Sequence, residues 1–303
     1  MGINLLRLLP AICLGLYSSA VLAQQDVRSI KDVNYMKVVN SSNAKEADRR
    51  RLDLYIPSKS KCFPTLLSVH GGGLRKGDKS EDVKTGKLFA ASGIAAAVIN
   101  YRLSPQVSHP AHVEDVAAAF AWTKKNIASY GGDPSLVYIV GHSAGAYLVT
   151  LLALNGDYLA KHDLKLNAIS GAIPVSAFHD VDLVAPNRPK DVWGEDPKFW
   201  KSASTTPQFW GITSSPKMPW LAIIADGDEE WRRDQNYRFV ANLKDVGFAN
   251  VSLVDIKNRD HNSIWGKISD GDEVSSHIIN FVSKHASSVG DGGCKLKKII
   301  SNY

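Results

Sequence analysis

Residues 141–145 place a serine in a setting that suits nucleophilic chemistry. Their sequence, Gly-His-Ser-Ala-Gly, fits the pattern G-x-S-x-G and lies between an apolar, strand-like run at 137–140 and a helical pattern at 144–154. Glycines at both ends of the pattern permit a sharp turn that exposes the serine hydroxyl. We therefore predict that Ser143 is a nucleophile, with a serine that only caps a helix as the alternative.

A second glycine-rich stretch, at 70–73, reads His-Gly-Gly-Gly and follows the apolar run at 65–69. Because glycine has no side chain, the backbone N–H groups of this stretch are open to a ligand. Such donors stabilise the negative charge that forms on a carbonyl oxygen under attack. We predict that this stretch and the N–H of Ala144 bind an oxyanion, with an ordinary glycine-rich turn as the alternative. A phosphate-binding loop is excluded because Asp78 stands where that motif requires lysine.

Ser143 needs a base to accept its proton and an acid to orient that base. Of the nine histidines, His261 is the best placed, since it lies in a loop between the last strand-like run and the last helical pattern. Asp228 follows the run at 220–225 and precedes His261 in the chain, as the acid does in one fold of serine hydrolases. Asp226 remains the rival, but the glycine between the two aspartates suits a turn that carries Asp228 back across the strand ends.

Apolar runs of strand length alternate with helical patterns, and these elements must position the residues above. The runs lie at 65–69, 94–99, 137–140, 169–175, 220–225 and 251–256, and the helical patterns lie at 113–127, 144–154, 235–246 and 274–282. An antiparallel edge pair is expected before them, with one strand around Met36 and Val38 and the other at 52–56. The alternation predicts a mostly parallel sheet with helices on both faces, whose ligands bind at the carboxyl ends of the strands.

Several motifs, in a fixed order along the chain, resemble those of one family of enzymes. They are LDLYIP at 52–57, the stretch at 70–79, NYRLSP at 100–105, EDV at 114–116, GGDP at 131–134, the serine turn, and Asp-His at 260–261. Together they make the chain similar to the acetyl esterase and hormone-sensitive-lipase-like branch of the α/β-hydrolase superfamily, which includes feruloyl-esterase-like carboxylesterases. The resemblance covers residues 51–264.

This resemblance implies a fold, a site and a reaction. The fold is the α/β-hydrolase fold, an eight-stranded and mostly parallel sheet with helices on both faces. The implied oxyanion donors are the N–H groups of Gly72, Gly73 and Ala144. The reaction is the hydrolysis of small carboxylic esters by Ser143, Asp228 and His261 through an acyl-enzyme, with no metal and no cofactor. Hydrolysis of amides, as by a peptidase or an arylformamidase, and a non-catalytic binding role on the same fold remain alternatives.

The two ends of the chain and its composition bound the domain organisation. The chain has 303 residues, 44% hydrophobic and 22% charged, as expected of a globular protein. Residues 1–23 resemble a cleaved signal peptide, because Arg7 precedes an apolar stretch at 8–17 that is too short to span a membrane. We therefore expect a secreted or periplasmic protein with one α/β-hydrolase domain at 24–303. Residues 177–218 are rich in aromatics, and we expect either a small cap over the site or packing of these side chains in the core.

Charge and cysteine content say less about partners. The formal net charge of +6 comes from scattered lysines and arginines, so we expect neither nucleic acid as a partner nor stable membrane insertion. A small-molecule ester is the partner that the resemblance implies. The expected mature chain keeps two cysteines, Cys62 and Cys294, in a compartment where disulfides persist. Pairing of the two and two separate thiols are both open, and the sequence does not indicate an oligomeric state.

Overall fold

Within the residues that the structure describes, namely 26–36, 49–184, 190–211 and 218–288, the chain forms one mixed sheet of eight strands. The structure is a computed structural model. The strands are β1 (Val27–Asn34), β2 (Arg51–Pro57), β3 (Phe63–Val69), β4 (Ala95–Ile99), β5 (Gly132–His142), β6 (Ala172–Val175), β7 (Trp220–Gly227) and β8 (Val251–Asp260). Their order across the sheet is β1-β2-β4-β3-β5-β6-β7-β8. The β1–β2 and β2–β4 pairs are antiparallel, whereas the other pairs are parallel, so the predicted fold class is confirmed.

Helices cover both faces of this sheet. They are α1 (Val83–Ala91), α2 (Ala111–Asn126), α3 (Ala144–Leu154), α4 (Asp157–Ala160), α5 (Val181–Val184), α6 (Lys190–Trp193), α7 (Pro197–Ala203), α8 (Glu230–Asp245), α9 (Ser263–Gly266) and α10 (Glu273–Ser288). Short 3-10 turns lie at Lys79–Asp82, Ile127–Tyr130, Leu166–Ala168, Thr206–Gly211 and Ile268–Asp270.

The core is divided into two layers by the sheet. Leu67 packs in one layer with residues of α2, α3 and α8, whereas its neighbour Leu66 packs in the other layer with residues of α1 and α10. Successive side chains on a strand point to opposite faces, and burial on both faces explains why these strands are continuously apolar. The carboxyl ends of the parallel strands therefore meet at one edge of a sheet that is covered on both sides.

Most predicted elements lie within a few residues of their expected positions, but the first strand does not. It was expected around Met36 and Val38, whereas β1 ends at Asn34 and Val38 lies outside the described residues. Its pairing with β2 shifts register between Ile30 and Val33, so the strand lacks the strict alternation by which strands are recognised. The irregularity also places a positive φ of 56° at Asp32.

Three predictions concern residues that the structure describes only in part. The proposed signal at 1–23 and Cys294 lie outside the described residues, while Cys62 is disulfide-bonded. The predicted cap at 177–218 contains α5, α6 and α7, and residues 185–189 and 212–217 of it are outside the described ranges. Across the described ranges, every helix is too short or too polar to cross a bilayer. The single-domain assignment for 24–303 stays a prediction.

Candidate active site

Ser143 lies in a strained turn between β5 and α3. Its φ of 53° and ψ of −114° are uncommon for a residue with a side chain. The glycines on either side allow close backbone approach: a Cβ on Gly145 would lie 2.0 Å from the carbonyl oxygen of Val69, and one on Gly141 would lie 2.4 Å from the carbonyl carbon of Gly145. The Gly-His-Ser-Ala-Gly pattern is therefore a packing requirement of the turn that holds Ser143.

His261 reaches Ser143 from the loop that follows β8. Its Nε2 lies 2.8 Å from the Oγ of Ser143, and its Nδ1 lies 2.7 Å from the Oδ1 of Asp228. The loop is shaped by Asp260, whose carboxylate accepts hydrogen bonds from the backbone N–H groups of Asn262 at 3.0 Å and Ser263 at 2.7 Å. The structure thus brings the three predicted residues into one line of hydrogen bonds that joins carboxylate, imidazole and hydroxyl.

Asp228 is held by several hydrogen bonds in a buried position after β7. Besides His261, its carboxylate accepts from the hydroxyl of Ser176 and from the N–H of Ala225 at 3.1 Å. Burial opposes ionisation of Asp228, but the hydrogen bonds from His261, Ser176 and Ala225 outweigh burial and hold the pKa of this carboxyl below its ordinary value. Asp228 is therefore an anion that faces His261.

The rival aspartate has a different position. Asp226 is a half-buried residue near the end of β7, and its carboxylate accepts a hydrogen bond from the backbone N–H of Arg259 at 3.2 Å. Its contacts connect the ends of β7 and β8, and the imidazole of His261 bonds to Asp228 instead. The two carboxylates therefore differ in position: Asp228 bonds to the imidazole of His261, and Asp226 bonds to the backbone of β8. The sequence alone did not decide which of the two contacts His261.

Two residues behind Asp228 were not anticipated from the sequence. Ser176, at φ 49°, follows β6 and donates its hydroxyl to Asp228. Arg232, only 3% exposed, donates to the carbonyl of Ser176 at 3.1 Å and to Glu229 at 3.2 Å, and its Nε lies 3.7 Å from the Oδ1 of Asp228. The i,i+4 spacing of Asp228 and Arg232 at the start of α8 was an available signal, whereas Ser176 gave none.

The glycine stretch after β3 lies beside the nucleophile. A Cβ on Gly71 would lie 3.3 Å from the Cβ of Ser143. Gly72 and Gly73 have φ values of 103° and 63°, in the left-handed region where residues with side chains are strained. Among the described residues, no hydrogen bond uses the backbone N–H of Gly72, Gly73 or Ala144 as donor. The three predicted oxyanion donors are therefore free to bind a ligand.

An aromatic contact supports this stretch from behind. The ring of His70 stacks on Tyr101 with centroids 4.4 Å apart, and the Tyr101 hydroxyl donates to the carbonyl of His70 at 3.1 Å. Burial lowers the pKa of His70 to about 4, so its ring is neutral at physiological pH. His70 is therefore a supporting residue of the turn, and it does not carry a charge into the site.

The part of the chain that the structure describes contains no set of side chains that could bind a metal ion. Groups of three or more histidine, cysteine, aspartate or glutamate side chains that could hold an ion are absent from it. The site offers a hydroxyl, an imidazole, a carboxylate and open N–H groups, a combination suited to covalent catalysis by serine.

The chain is similar in sequence to proteins that are named as esterases. The BD-FAE family model matches residues 52–194, which include Ser143 and the glycine stretch. Esterase LipQ of Mycobacterium tuberculosis is 30% identical over 227 residues, which cover 70% of this chain and 52% of the relative. A probable isoprenylcysteine alpha-carbonyl methylesterase, ICMEL1 of Oryza sativa subsp. japonica, is 41% identical over 111 residues, or 36% of this chain and 26% of the relative. The chain spans about half of the first relative's length and a smaller part of the second.

Solved structures share the fold at low sequence identity. A truncated form of a carbohydrate esterase from gut microbiota has a TM-score of 0.68 and 19% identity, covering 87% of this chain and 98% of that one. Esterase B from Lactobacillus rhamnosis has a TM-score of 0.67 and 17% identity, covering 87% of each chain. At such identities the likeness establishes the fold, and the chemistry must be argued from the site itself.

Proposed function

The chain belongs to the α/β-hydrolase superfamily, in its acetyl esterase and hormone-sensitive-lipase-like carboxylesterase branch, and on that premise we propose that it is a serine esterase of small carboxylic esters. One observation carries the proposal. The Oγ of Ser143 lies 2.8 Å from the Nε2 of His261, whose Nδ1 lies 2.7 Å from the buried carboxylate of Asp228. A hydroxyl in this arrangement has a base to accept its proton and an anion to stabilise the imidazolium that results.

The first half of the proposed reaction forms an acyl-enzyme. Because the Asp228 carboxylate is an acceptor, Nδ1 of His261 carries the ring proton and Nε2 is free to accept another. The Oγ of Ser143 attacks the ester carbonyl carbon while its proton passes to Nε2, and the carbonyl oxygen becomes an oxyanion. When the tetrahedral intermediate collapses, the bond to the alkoxide breaks, and His261 returns the proton to the departing alcohol.

The oxyanion is the species that the glycine stretch would recognise. The N–H groups of Gly72, Gly73 and Ala144 have no hydrogen-bond acceptor within the described residues. No hydrogen bond within the protein therefore has to break when they bind the charged oxygen. Removing one such donor from a serine hydrolase lowers kcat by about 100- to 1,000-fold. These three N–H groups therefore account for a large share of the expected rate.

The second half of the proposed reaction releases the acid. Water enters after the alcohol leaves, His261 accepts a proton from it, and the oxygen attacks the acyl carbonyl on Ser143. The ester bond to Oγ breaks, Oγ regains its proton from His261, and the carboxylic acid departs. Every proton in both halves moves through one imidazole nitrogen, so no metal or cofactor is required.

Covalent labelling tests the proposal directly. A fluorophosphonate probe reacts with an activated serine, so it should label the wild type and fail to label Ser143→Ala. Absence of labelling in both proteins would contradict the proposal and favour a binding protein on this fold. A panel of acyl lengths, aryl esters and anilides then separates esterase from amidase, and faster cleavage of anilides than of matched esters would overturn the ester assignment.

We also propose that the protein is exported by the signal at 1–23. The disulfide at Cys62 supports this proposal, because such bonds persist in oxidising compartments and are rare in the cytosol. Expression of the full chain in a secreting host, followed by mass spectrometry, should find a mature protein that starts near Gln24. A protein retained inside the cell with an intact N-terminus would contradict it.

A further inference from the structure

His142, next to the nucleophile, contacts the backbone of the proposed base. Its Nε2 lies 2.8 Å from the carbonyl oxygen of His261, and the two ring centroids are 4.9 Å apart. A carbonyl oxygen only accepts hydrogen bonds, so Nε2 of His142 must carry a hydrogen. Burial lowers the pKa of His142 to about 3, so the ring is neutral and this hydrogen is its single one.

The ring of His142 also packs against an indole, that of Trp265, which a hydrogen bond holds in a fixed orientation. Trp265 in α9 stacks on His142 with centroids 5.8 Å apart and an interplanar angle of 10°. Its indole N–H donates to the Oδ1 of Asp82 at 2.7 Å. Asp82 is 3% exposed and precedes α1, so a residue on a separate part of the chain fixes the ring that packs on His142.

The contacts of His142 hold a loop that is otherwise exposed to solvent. The side chain of His261 is 26% exposed, and its neighbours Asp260 and Asn262 are also exposed. Asp228 fixes the far nitrogen of the imidazole, but the distance from Nε2 to Ser143 also depends on where the loop backbone lies. The hydrogen bond from His142 ties that backbone to the residue beside the nucleophile.

We propose that His142 is a positioning residue, which holds His261 within hydrogen-bond distance of Ser143, and that Trp265 and Asp82 keep His142 in place. The inference rests on the proposed function, since positioning matters only if Ser143 and His261 react. It adds residues beyond the triad, and each of them acts through His261 without touching the substrate.

Two substitutions at one position separate the hydrogen bond from the ring. His142→Phe keeps an aromatic ring against Trp265 and removes the donor. His142→Gln removes the ring and keeps an N–H donor, because its Nε2 is the same number of bonds from the backbone as that of histidine. Displacement of a catalytic group by about 1 Å costs on the order of 100-fold in rate, so we expect that loss in kcat for His142→Phe. His142→Gln should stay within about 10-fold of wild type.

A second pair tests the outer part of the network. Trp265→Phe keeps the stacked ring and removes the indole N–H, whereas Asp82→Asn keeps an oxygen that can accept from it. We expect kcat to fall by about 10-fold for Trp265→Phe and to stay within about 3-fold of wild type for Asp82→Asn. KM should change little in all four variants, because in this proposal these side chains act through His261 and not through substrate binding.

The experiment measures kcat and KM on a small aryl ester, with the unfolding midpoint of each variant. A kcat for His142→Phe within 3-fold of wild type, or an equal loss in His142→Gln, would overturn the proposal. A rise in KM at constant kcat would also overturn it. If His142→Phe does not fold, Trp265→Phe carries the test, and a kcat within 3-fold of wild type for that variant would overturn the proposal.

Failure of the proposed function gives a different result. Wild type that a fluorophosphonate does not label contradicts the esterase itself, whatever the variants do. A crystal structure of His142→Phe then tests positioning without any activity. Displacement of His261 from Ser143 supports the proposal, and a contact that remains at 2.8 Å refutes it.

Discussion

Two regions of the molecule build the candidate site by different physical means. The nucleophile region, residues 52–194, supplies Ser143 and the proposed oxyanion donors, and it coincides with the BD-FAE match. The acid–base region, residues 218–288, supplies Asp228 and His261 from loops after β7 and β8. In the first region the backbone does the positioning, through close approaches and positive φ angles. In the second, side-chain hydrogen bonds do it.

The difference explains how the two regions tolerate change. A backbone that passes within contact distance of another backbone leaves no space for even one methyl group. A carboxylate with several hydrogen-bond donors can lose one of them and keep the rest, so each lost donor should lower activity by a limited step. We therefore expect all-or-none effects on folding in the nucleophile region and stepwise effects on kcat in the acid–base region.

The largest expected effect tests the all-or-none behaviour. In Gly145→Ala the new Cβ would lie 2.0 Å from the carbonyl oxygen of Val69, a backbone atom that cannot move away cheaply. We expect loss of more than about 4 kcal/mol in the free energy of unfolding, which leaves little folded protein. Urea denaturation measures it.

A matched glycine provides the control for that experiment. Gly156 has a φ of −67°, and a Cβ there would first meet Leu166 at an ordinary distance of 3.5 Å. Gly156→Ala should leave the unfolding free energy within about 1 kcal/mol of wild type. Equal stability of Gly145→Ala and Gly156→Ala would break the comparison between the two regions.

The next effect concerns the acid. In Asp228→Asn the side chain keeps its size but loses its charge, so the tautomer and the charged form of His261 are no longer favoured. We expect kcat to fall by about 10,000-fold with a small change in KM. Asp226→Asn removes a carboxylate that bonds to Arg259, and it should stay within about 3-fold of wild type. Steady-state kinetics on one ester decides between the two aspartates, and the reverse ranking would reassign the acid.

The same contrast determines what the sequence alone could predict. Glycine motifs such as the one around Ser143 can be recognised in the sequence, because a close backbone approach permits only glycine at those positions. Helix α1 was not predicted, since Gly86 lowers helix propensity, yet a Cβ there would lie 2.4 Å from the ring of Tyr55. Strand β1 was misplaced because its register is irregular. In both cases tertiary packing determined a feature that the local pattern did not.

Supporting residues were harder to anticipate than the residues of the proposed triad. Asp228 and His261 could be predicted from chain order and from their place after strands. Ser176 and Trp265 act through contacts between residues far apart in the chain, and single polar or aromatic residues have many other roles. Their roles follow only from coordinates.

A smaller effect concerns Asp82, where the two regions meet. Burial raises the pKa of Asp82 to about 6, although the hydrogen bond from the Trp265 indole opposes the shift. One oxygen accepts that bond, and the other has no partner among the described residues. Because the folded-state pKa exceeds the unfolded one, Asp82 favours folding below pH 4, and this contribution is lost as the pH rises through 6.

The stability of Asp82→Asn relative to wild type should therefore depend on pH. The asparagine does not titrate, so the difference in unfolding free energy, variant minus wild type, should rise by about 2 to 3 kcal/mol between pH 4 and pH 7.5. Urea denaturation of both proteins at the two pH values measures it, and other titrating groups cancel in the difference. A difference that is constant with pH would show that the pKa of Asp82 is not raised in the folded protein. The contact between the two regions would then not lower the free energy of unfolding at neutral pH.

The smallest effect tests whether the positioning of Asp228 in the acid–base region responds in steps, through a donor that the nucleophile region contributes. Ser176→Ala removes one donor to Asp228 and leaves the bonds from Ala225 and His261 in place. The positive φ is as acceptable for alanine as for serine, so backbone strain does not change. We expect kcat to fall by about 10-fold, with KM unaltered, because the loss of one hydrogen bond costs about 1 to 1.5 kcal/mol.

Ser170 is the matched control for this loss, since it lies before the amino end of β6, whereas Ser176 follows the carboxyl end. Its hydroxyl donates to the carbonyl of Ser135, away from the site, so Ser170→Ala should leave kcat unchanged. A loss above about 1,000-fold in Ser176→Ala would show that Asp228 depends on each donor as strictly as the Ser143 turn depends on each glycine. The contrast between backbone positioning and hydrogen-bond positioning would then fail, because both regions would respond to single changes in the same all-or-none way.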